Sequence, residues 1–323
     1  VLLINPINDL VSITNTEDNA WNSLRIWKPL GLLMLAGRTP PGWEVEVVDE
    51  NLGVPDYGAR PLPDLVGISA FTSQANAAYA LATRFRGMGV PVVMGGVHAT
   101  MRMEEALEHV DTVVTGEGDD VWEQVLEDAR RGALKRVYHG GPADRSKVCR
   151  ARHDLLPRGY SFGSLQVSRG CPLNCSFCSV TQFNGKRLRS RPSDEVVKEL
   201  CEIREPLVLI VDDNLVGTSK RQIAYAKELF RAMAESKHGK GWMGQVTINF
   251  ADDEELLELA FKAGCFGMLI GFESPTKEGL SELNKTFNTR NGRDLRASVR
   301  RIQRHHMIVA GSFALGLDVD QVG

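Results

Sequence analysis

Three cysteines, Cys171, Cys175 and Cys178, stand in Ser168-Arg169-Gly170-Cys171-Pro172-Leu173-Asn174-Cys175-Ser176-Phe177-Cys178, a C-x3-C-x2-C run with an aromatic before the last thiol. A [4Fe-4S] cube normally takes four thiolates, so three ligands on one short loop leave one iron open to a non-protein ligand. An open iron does chemistry rather than merely storing electrons. Structural zinc wants four protein ligands, and no fourth ligand of suitable spacing lies nearby. Three cysteines on a loop containing Gly, Pro and Asn also do not read as core. A strand expected over 165–168 runs straight into the loop.

With this spacing and this aromatic, the segment resembles the radical SAM superfamily. The resemblance implies that the open iron chelates S-adenosylmethionine through its amino and carboxylate groups. It further implies reductive cleavage of that cofactor to methionine and a 5′-deoxyadenosyl radical. Asp212, Asp213 and Asn214 occupy the place where the family often has Gly-Gly-Glu against the cofactor's amino group. Carboxylate and amide acceptors suit an ammonium, although a helix-capping Asp/Asn cluster is the plain alternative. Glu273 and Ser274 can hydrogen-bond ribose hydroxyls. Lys285 can pair with the methionine carboxylate as a point charge, or be a solvated helix-end lysine. Phe177 and Asn249 complete the cofactor contacts that the resemblance implies. The basic run Lys186, Arg187, Arg189 and Arg191 is either a solvated face or a holder of anionic groups.

These side chains need a frame. Periodicity predicts helices over 193–204, 220–237, 253–263 and, in segments, 276–304, alternating with strands over 207–212, 244–248, 266–271 and 308–315. Counting the strand before the cysteine loop gives five βα strands. Residues 158–323 are therefore expected to form a partial (β/α)6 TIM-like radical SAM barrel, with ligands at the carboxyl ends of its strands. The family usually has six strands, so the chain is expected to be truncated at its C-terminus. Its first residue, Val1, agrees with a piece of a longer protein.

Residues 1–135 alternate strands over 1–5, 44–49, 65–69, 91–94 and 111–115 with helices over 30–37, 74–88 and 119–131. That pattern predicts a Rossmann-like, doubly wound parallel sheet, so the whole chain is α/β. Ligands of such sheets lie beyond the strand carboxyl ends, where this chain carries distinctive loops. Ser69, Phe71 and Thr72 follow the third strand, Gly95, Gly96 and His98 the fourth, and Gly116, Glu117 and Gly118 the fifth. A nucleotide or flavin would suit the same fold. Together, however, the loops resemble the cobalamin-binding domain that precedes many radical SAM cores. The resemblance implies that Ser69, Phe71, Thr72, Gly95 and Gly96 line a slot for the nucleotide tail, while Gly116, Glu117 and Gly118 approach the corrin edge or tail. His98, as a loop histidine, is expected to bond a phosphate or a backbone carbonyl rather than cobalt.

Many cobalamin domains place a histidine under cobalt from a D-x-H-x-x-G motif. No aspartate between residues 1 and 157 has histidine two residues on, and Leu24 stands at the corresponding position. The lower cobalt face is therefore expected to lack a histidine. Residues 136–157, with Gly-Gly-Pro and scattered charge, are expected to form an irregular linker.

At 323 residues, 43% hydrophobic and 24% charged, the chain has length for two cores. A net charge of −3 gives no footprint for nucleic acid. No stretch approaches ~18 uninterrupted apolar residues, so no membrane span is expected, and the protein is expected to be cytoplasmic. Cys149, Cys201 and Cys265 are widely spaced and do not read as a disulfide framework. The function implied is a cobalamin-dependent radical SAM methylase acting at an unactivated carbon of a small-molecule, lipid or peptide substrate. A reductant such as flavodoxin or ferredoxin would supply electrons. Rivals are ring formation, rearrangement or carbon–carbon coupling on the same cofactors, and an iron–sulfur electron carrier or sensor. Methylthio transfer would want further cysteines in the first half. No catalytic acid or base is identifiable.

Overall fold

The structure, a computed structural model, describes residues 1–8, 28–143 and 150–320, so Leu24 and Cys149 lie outside the described residues. The chain divides into two compact units, Val1–Phe162 and Gly163–Gly323. Among the described residues no helix is long and apolar enough to cross a membrane.

The first unit contains β1 (Leu2–Asn5), α1 (Leu30–Arg38), β2 (Glu46–Asp49), β3 (Val66–Ser69), α2 (Ala75–Gly87), β4 (Val92–Gly95), α3 (Gly96–Met101), α4 (Met103–His109), β5 (Thr112–Gly116), α5 (Trp122–Arg130) and β6 (Val137–Gly140). Leu3, Ile4, Val66, Val92 and Val113 are buried, as strands covered on both faces require. They pair in parallel in the order β2-β1-β3-β4-β5-β6. Because the order reverses at β1, a crevice opens beyond the carboxyl ends of β1 and β3.

Two expectations fail here. The stretch expected as irregular linker contains β6, a sixth strand in register with β5 from Val113 opposite Val137 to Gly116 opposite Gly140. Four residues containing a His and a Gly carry no readable periodicity, and the exposed edge of β5 supplies the pairing instead. The loop after β4 is also helical, forming α3.

The second unit contains β7 (Gly163–Leu165), β8 (Ser168–Arg169), α6 (Val180–Phe183), β9 (Arg189–Ser190), α7 (Ser193–Glu202), β10 (Leu207–Ile210), α8 (Lys220–Ser236), β11 (Gly241–Val246), α9 (Glu254–Lys262), β12 (Cys265–Glu273), α10 (Lys277–Glu282), α11 (Leu295–Arg304) and β13 (Ile308–Phe313). Five strands pair in parallel in chain order, β7-β10-β11-β12-β13, and β8 with β9 form an antiparallel ribbon. Successive crossovers place α7 beside α8 and α8 beside α9, as in a barrel segment. Ser219 and Gln222 form a capping box at α8, and Asp253 caps α9. The core packs Leu200, Phe230, Leu257 and Ile270 around Trp242, whose indole N–H donates to Ala263 O at 2.7 Å.

The strand expected over 165–168 is broken between β7 and β8. The break is held by Asp212, which is fully buried and accepts from Val167 N (2.7 Å), Ser168 N (2.6 Å) and Ser168 Oγ (2.5 Å). Burial pushes its carboxyl up to about 7 even though these three donors pull the other way. Asp212→Ala strands two buried backbone N–H groups and is expected to destabilise the second unit by about 2–4 kcal/mol. A lowered urea midpoint at unchanged slope is the measurement.

Candidate functional site

In the second unit, β8 delivers the cysteine loop. Gly170, at φ +92°, turns the chain where a Cβ would collide with the backbone of Arg187 and Asn184. The loop is pinned at both ends: Cys171 N donates to Gly185 O at 3.2 Å, and Asn284 Nδ2 donates to Asn174 O at 2.6 Å. Ser176 N adds a bond to Leu283 O at 3.1 Å. A pinned loop presents its thiols without rearrangement. Cys171, Cys175 and Cys178 line one cavity of about 200 Å³ together with Phe177, Asp213, Asn214, Gln245, Thr247, Gly271, Glu273, Lys285 and Ser312.

Burial raises the Cys171 and Cys175 thiols above their ordinary range; neighbouring thiols and carboxylates add to this, while Lys285 lowers Cys175. Among the described residues no three His, Cys, Asp or Glu side chains are gathered closely enough to hold a single metal ion. The three thiols line one cavity, where each can reach a separate iron of one cube. The donor set fits a cluster.

Opposite chemistry meets at Glu273 and Lys285. Lys285 Nζ donates to Glu273 Oε1 at 2.6 Å, both residues buried. Lys285 also lies 5.7 Å from the Phe177 ring centre, within reach of a cation–π attraction. Glu273 takes φ +65°, rare for a residue with a side chain, at a bulge where the β12–β13 register shifts between Gly271 and Glu273. Gly271 has no side chain, and a Cβ there would collide with both the Glu273 carboxylate and the Lys285 ammonium. The backbone is shaped to bring this pair to the cavity.

Of the other residues expected to hold S-adenosylmethionine, Asp213 and Asn214 line the cavity and three do not. Asp212 is committed to the β7–β8 break. Asn249 holds the turn after β11, accepting from Thr247 Oγ1 and donating to Gly217 O at 3.0 Å. Ser274 is buried and bonds Thr276 at the start of α10. Among the basic residues, Arg191 is neither solvated nor a ligand holder: it is fully buried, paired with Glu199 at 2.6 Å and bonded to Gln166 O. Gln245 and Ser312 face the cavity unforeseen. On β11 Trp242, Gly244 and Val246 are buried while Met243 and Gln245 are less so, an alternation that identifies the face only once register is known.

In the first unit, the carboxyl ends of β3 and β4 stand side by side, Ser69 opposite Gly95. Gly96, at φ +91°, lies where a Cβ would press on Ser69 Oγ and the Ala70 backbone. Thr72 and Phe71 are exposed on the short turn that follows β3. These residues stand at or just beyond the carboxyl ends of β3 and β4. His98 and Glu117 depart from expectation. His98 lies on α3, 2% exposed, with Nε2 2.7 Å from Tyr79 Oη and Nδ1 3.3 Å from Thr72 Oγ1. Burial lowers its pKa, with Glu105 opposing. Both ring nitrogens are thus used within the unit, because helix α3 turns the ring inward. Glu117 is buried, accepting from Ala143 N at 3.0 Å, and Gly116, at φ +70°, is pressed against Gly140 of β6. Ala143, in the segment that follows β6, occupies the side chain of Glu117. Gly118 opens the next short turn, 118–120.

Comparison with known proteins bears on both units. Residues 20–126 match the B12 binding domain family, and residues 165–320 match the radical SAM superfamily. A bacteriochlorophyllide d C-12(1)-methyltransferase of Chlorobaculum tepidum is 32% identical over 315 residues, spanning 90% of this chain and 65% of that protein. A bacteriochlorophyllide d C-8(2)-methyltransferase of the same organism is 30% identical over 286 residues, spanning 80% and 61%. The chain thus spans less than two thirds of each relative. In fold, the chain superposes on the radical S-adenosylmethionine methyltransferase TsrM of Kitasatospora setae, solved with cobalamin and a [4Fe-4S] cluster bound. That match has a TM-score of 0.74 at 20% identity and covers 97% of this chain and 68% of that one.

Proposed function

We propose that the chain, which matches the B12 binding domain family ahead of the radical SAM superfamily, is a cobalamin-dependent methyltransferase acting at an unactivated carbon. The observation that carries the reading is the convergence of Cys171, Cys175 and Cys178 on a cavity that also holds Glu273 and Lys285. When bound, the cluster supplies the electron that cleaves S-adenosylmethionine, and cobalamin supplies the methyl group.

The chain's own residues bind and orient. The three thiols hold the cluster, Asp213 offers an acceptor for the cofactor's ammonium, and Lys285 offers a cation for its carboxylate. Glu273 is placed for ribose hydroxyls. In the first unit, Gly95 and Gly96 with Ser69 and Thr72 admit the nucleotide tail of cobalamin, with Gly116 and Gly118 at the neighbouring strand end. The substrate is a small molecule, lipid or peptide, and the reductant a flavodoxin or ferredoxin in the cytoplasm.

The test uses anaerobic protein reconstituted with iron, sulfide and cobalamin, supplied with reductant, methyl-deuterated S-adenosylmethionine and tetrapyrrole, lipid and peptide substrates. The expected result is labelled product with two S-adenosylmethionine molecules consumed per methyl transferred. The cob(II)alamin resonance is expected to show no splitting from an axial nitrogen, since Leu24 stands where a histidine would. Intact protein that cleaves S-adenosylmethionine but never retains cobalamin would reject the reading in favour of a plain radical SAM enzyme.

A further inference from the structure

We propose that Asn214 donates a hydrogen bond to sulfur of the cluster, on the Cys171 side, and so makes the cluster easier to reduce. The proposal rests on the cluster reading of the cysteine loop. It begins from an amide whose two ends are distinguishable. Gly217 N lies 3.1 Å from Asn214 Oδ1, and a backbone N–H can only donate, so the end facing Gly217 is the oxygen. The nitrogen end is left for the cavity.

Asn214 is 1% exposed, lines the cavity beside Cys171, and its Nδ2 finds no hydrogen-bond partner among the described residues. Buried N–H groups without acceptors are rare in folded proteins, so this one points to a group that the cavity receives. The group must accept. An ammonium cannot, which removes Asn214 from the acceptor role expected of it and leaves Asp213 to fill that role. Asp213 Oδ2 already accepts from Asn184 Nδ2 at 2.9 Å and has lone pairs remaining. The acceptor that the cavity offers beside Asn214 is sulfur at Cys171, a thiolate once it ligates iron, and thiolate or sulfide sulfur accepts where an ammonium cannot.

Reduction of the cluster adds an electron that is shared with its sulfur ligands. A fixed N–H dipole aimed at that sulfur stabilises the more negative state and raises the potential. Asn214 is thus a positioning residue for charge on the cluster rather than a ligand of S-adenosylmethionine.

The experiment compares wild type with Asn214→Leu and Asn214→Asp, reconstituted anaerobically with iron and sulfide alone. Asn214→Asp keeps the acceptor for Gly217 N and so guards against a folding failure of the leucine variant, but its carboxylate also adds a negative charge beside the cluster, so the size of the shift is read from the neutral leucine variant. Both should retain wild-type iron and sulfide content. In potentiometric titrations without S-adenosylmethionine, each should show roughly tenfold less reduced cluster at a fixed potential, or ~59 mV for a one-electron couple. Fe–S stretching bands should rise in frequency and lose part of their sensitivity to deuterium exchange. Unchanged potential and vibrations at full cluster content would overturn the proposal, including the case where only S-adenosylmethionine affinity falls and the true acceptor is its carboxylate. Wild-type protein that takes up no cluster would instead refute the cluster reading itself.

Discussion

Replacement of any one of Cys171, Cys175 and Cys178 by Ala is expected to abolish both the charge-transfer absorbance at about 400 nm and the cleavage of S-adenosylmethionine. The size of the effect follows from the ligand count. A cube held by three thiolates has no protein ligand in reserve, so losing one leaves a second iron without a protein ligand. The loop itself should survive, because its anchors run through backbone and amide groups: Cys171 N to Gly185 O, Ser176 N to Leu283 O, and Asn284 Nδ2 to Asn174 O. Each variant should therefore keep its secondary structure and thermal unfolding while iron and sulfide fall. A triple alanine variant that retains a full complement of iron would sink the assignment.

Loss of the Glu273 carboxylate should act on stability and on binding together. Lys285 is 6% exposed, and Glu273→Ala would leave its ammonium buried without its partner 2.6 Å away. Breaking one side of such a pair costs about 3–5 kcal/mol. S-adenosylmethionine affinity should also fall, with the cluster spared. The double variant Glu273→Leu with Lys285→Met separates the effects. Replacing a buried pair by apolar residues of similar size commonly restores stability, whereas the cofactor would still find neither the Glu273 carboxylate nor the Lys285 ammonium. Urea midpoints and equilibrium binding of S-adenosylmethionine to wild type, Glu273→Leu, Lys285→Met and the double variant would decide. Wild-type affinity in the stable double variant would return the pair to a purely structural role.

The Asp212-Asp213-Asn214 triplet shows where reading a sequence stops. Adjacent residues of similar chemistry invited one shared role, yet each has a different one. Asp212 holds the backbone of Val167 and Ser168, Asp213 faces the cavity against Asn184, and Asn214 presents a donor because Gly217 occupies its oxygen. The partners of the two aspartates lie 29 to 45 positions away along the chain, beyond the reach of any local pattern. His98 is a parallel case: as a residue after Gly-Gly it reads as an available loop imidazole, and only α3 and Tyr79 show that its ring is enclosed.

What the sequence determined by itself was whatever depends on short spacing. The thiol run, the alternation of strands and helices in both halves and the glycines at strand ends all express local sterics and periodicity, which neighbouring residues specify without a partner elsewhere. Tertiary structure decided everything that needs one. Pairing with β5 turned residues 137–140 into β6, and Ala143 beyond that strand took up the side chain of Glu117. A register shift against β13, with a bare Gly271, aimed Glu273 at Lys285. The register of β11 among its neighbours brought Gln245 to the cavity. Burial and hydrogen-bond partnership are properties of contacts between distant segments, so the same side chain is a ligand, a cap or a core strut according to what packs against it.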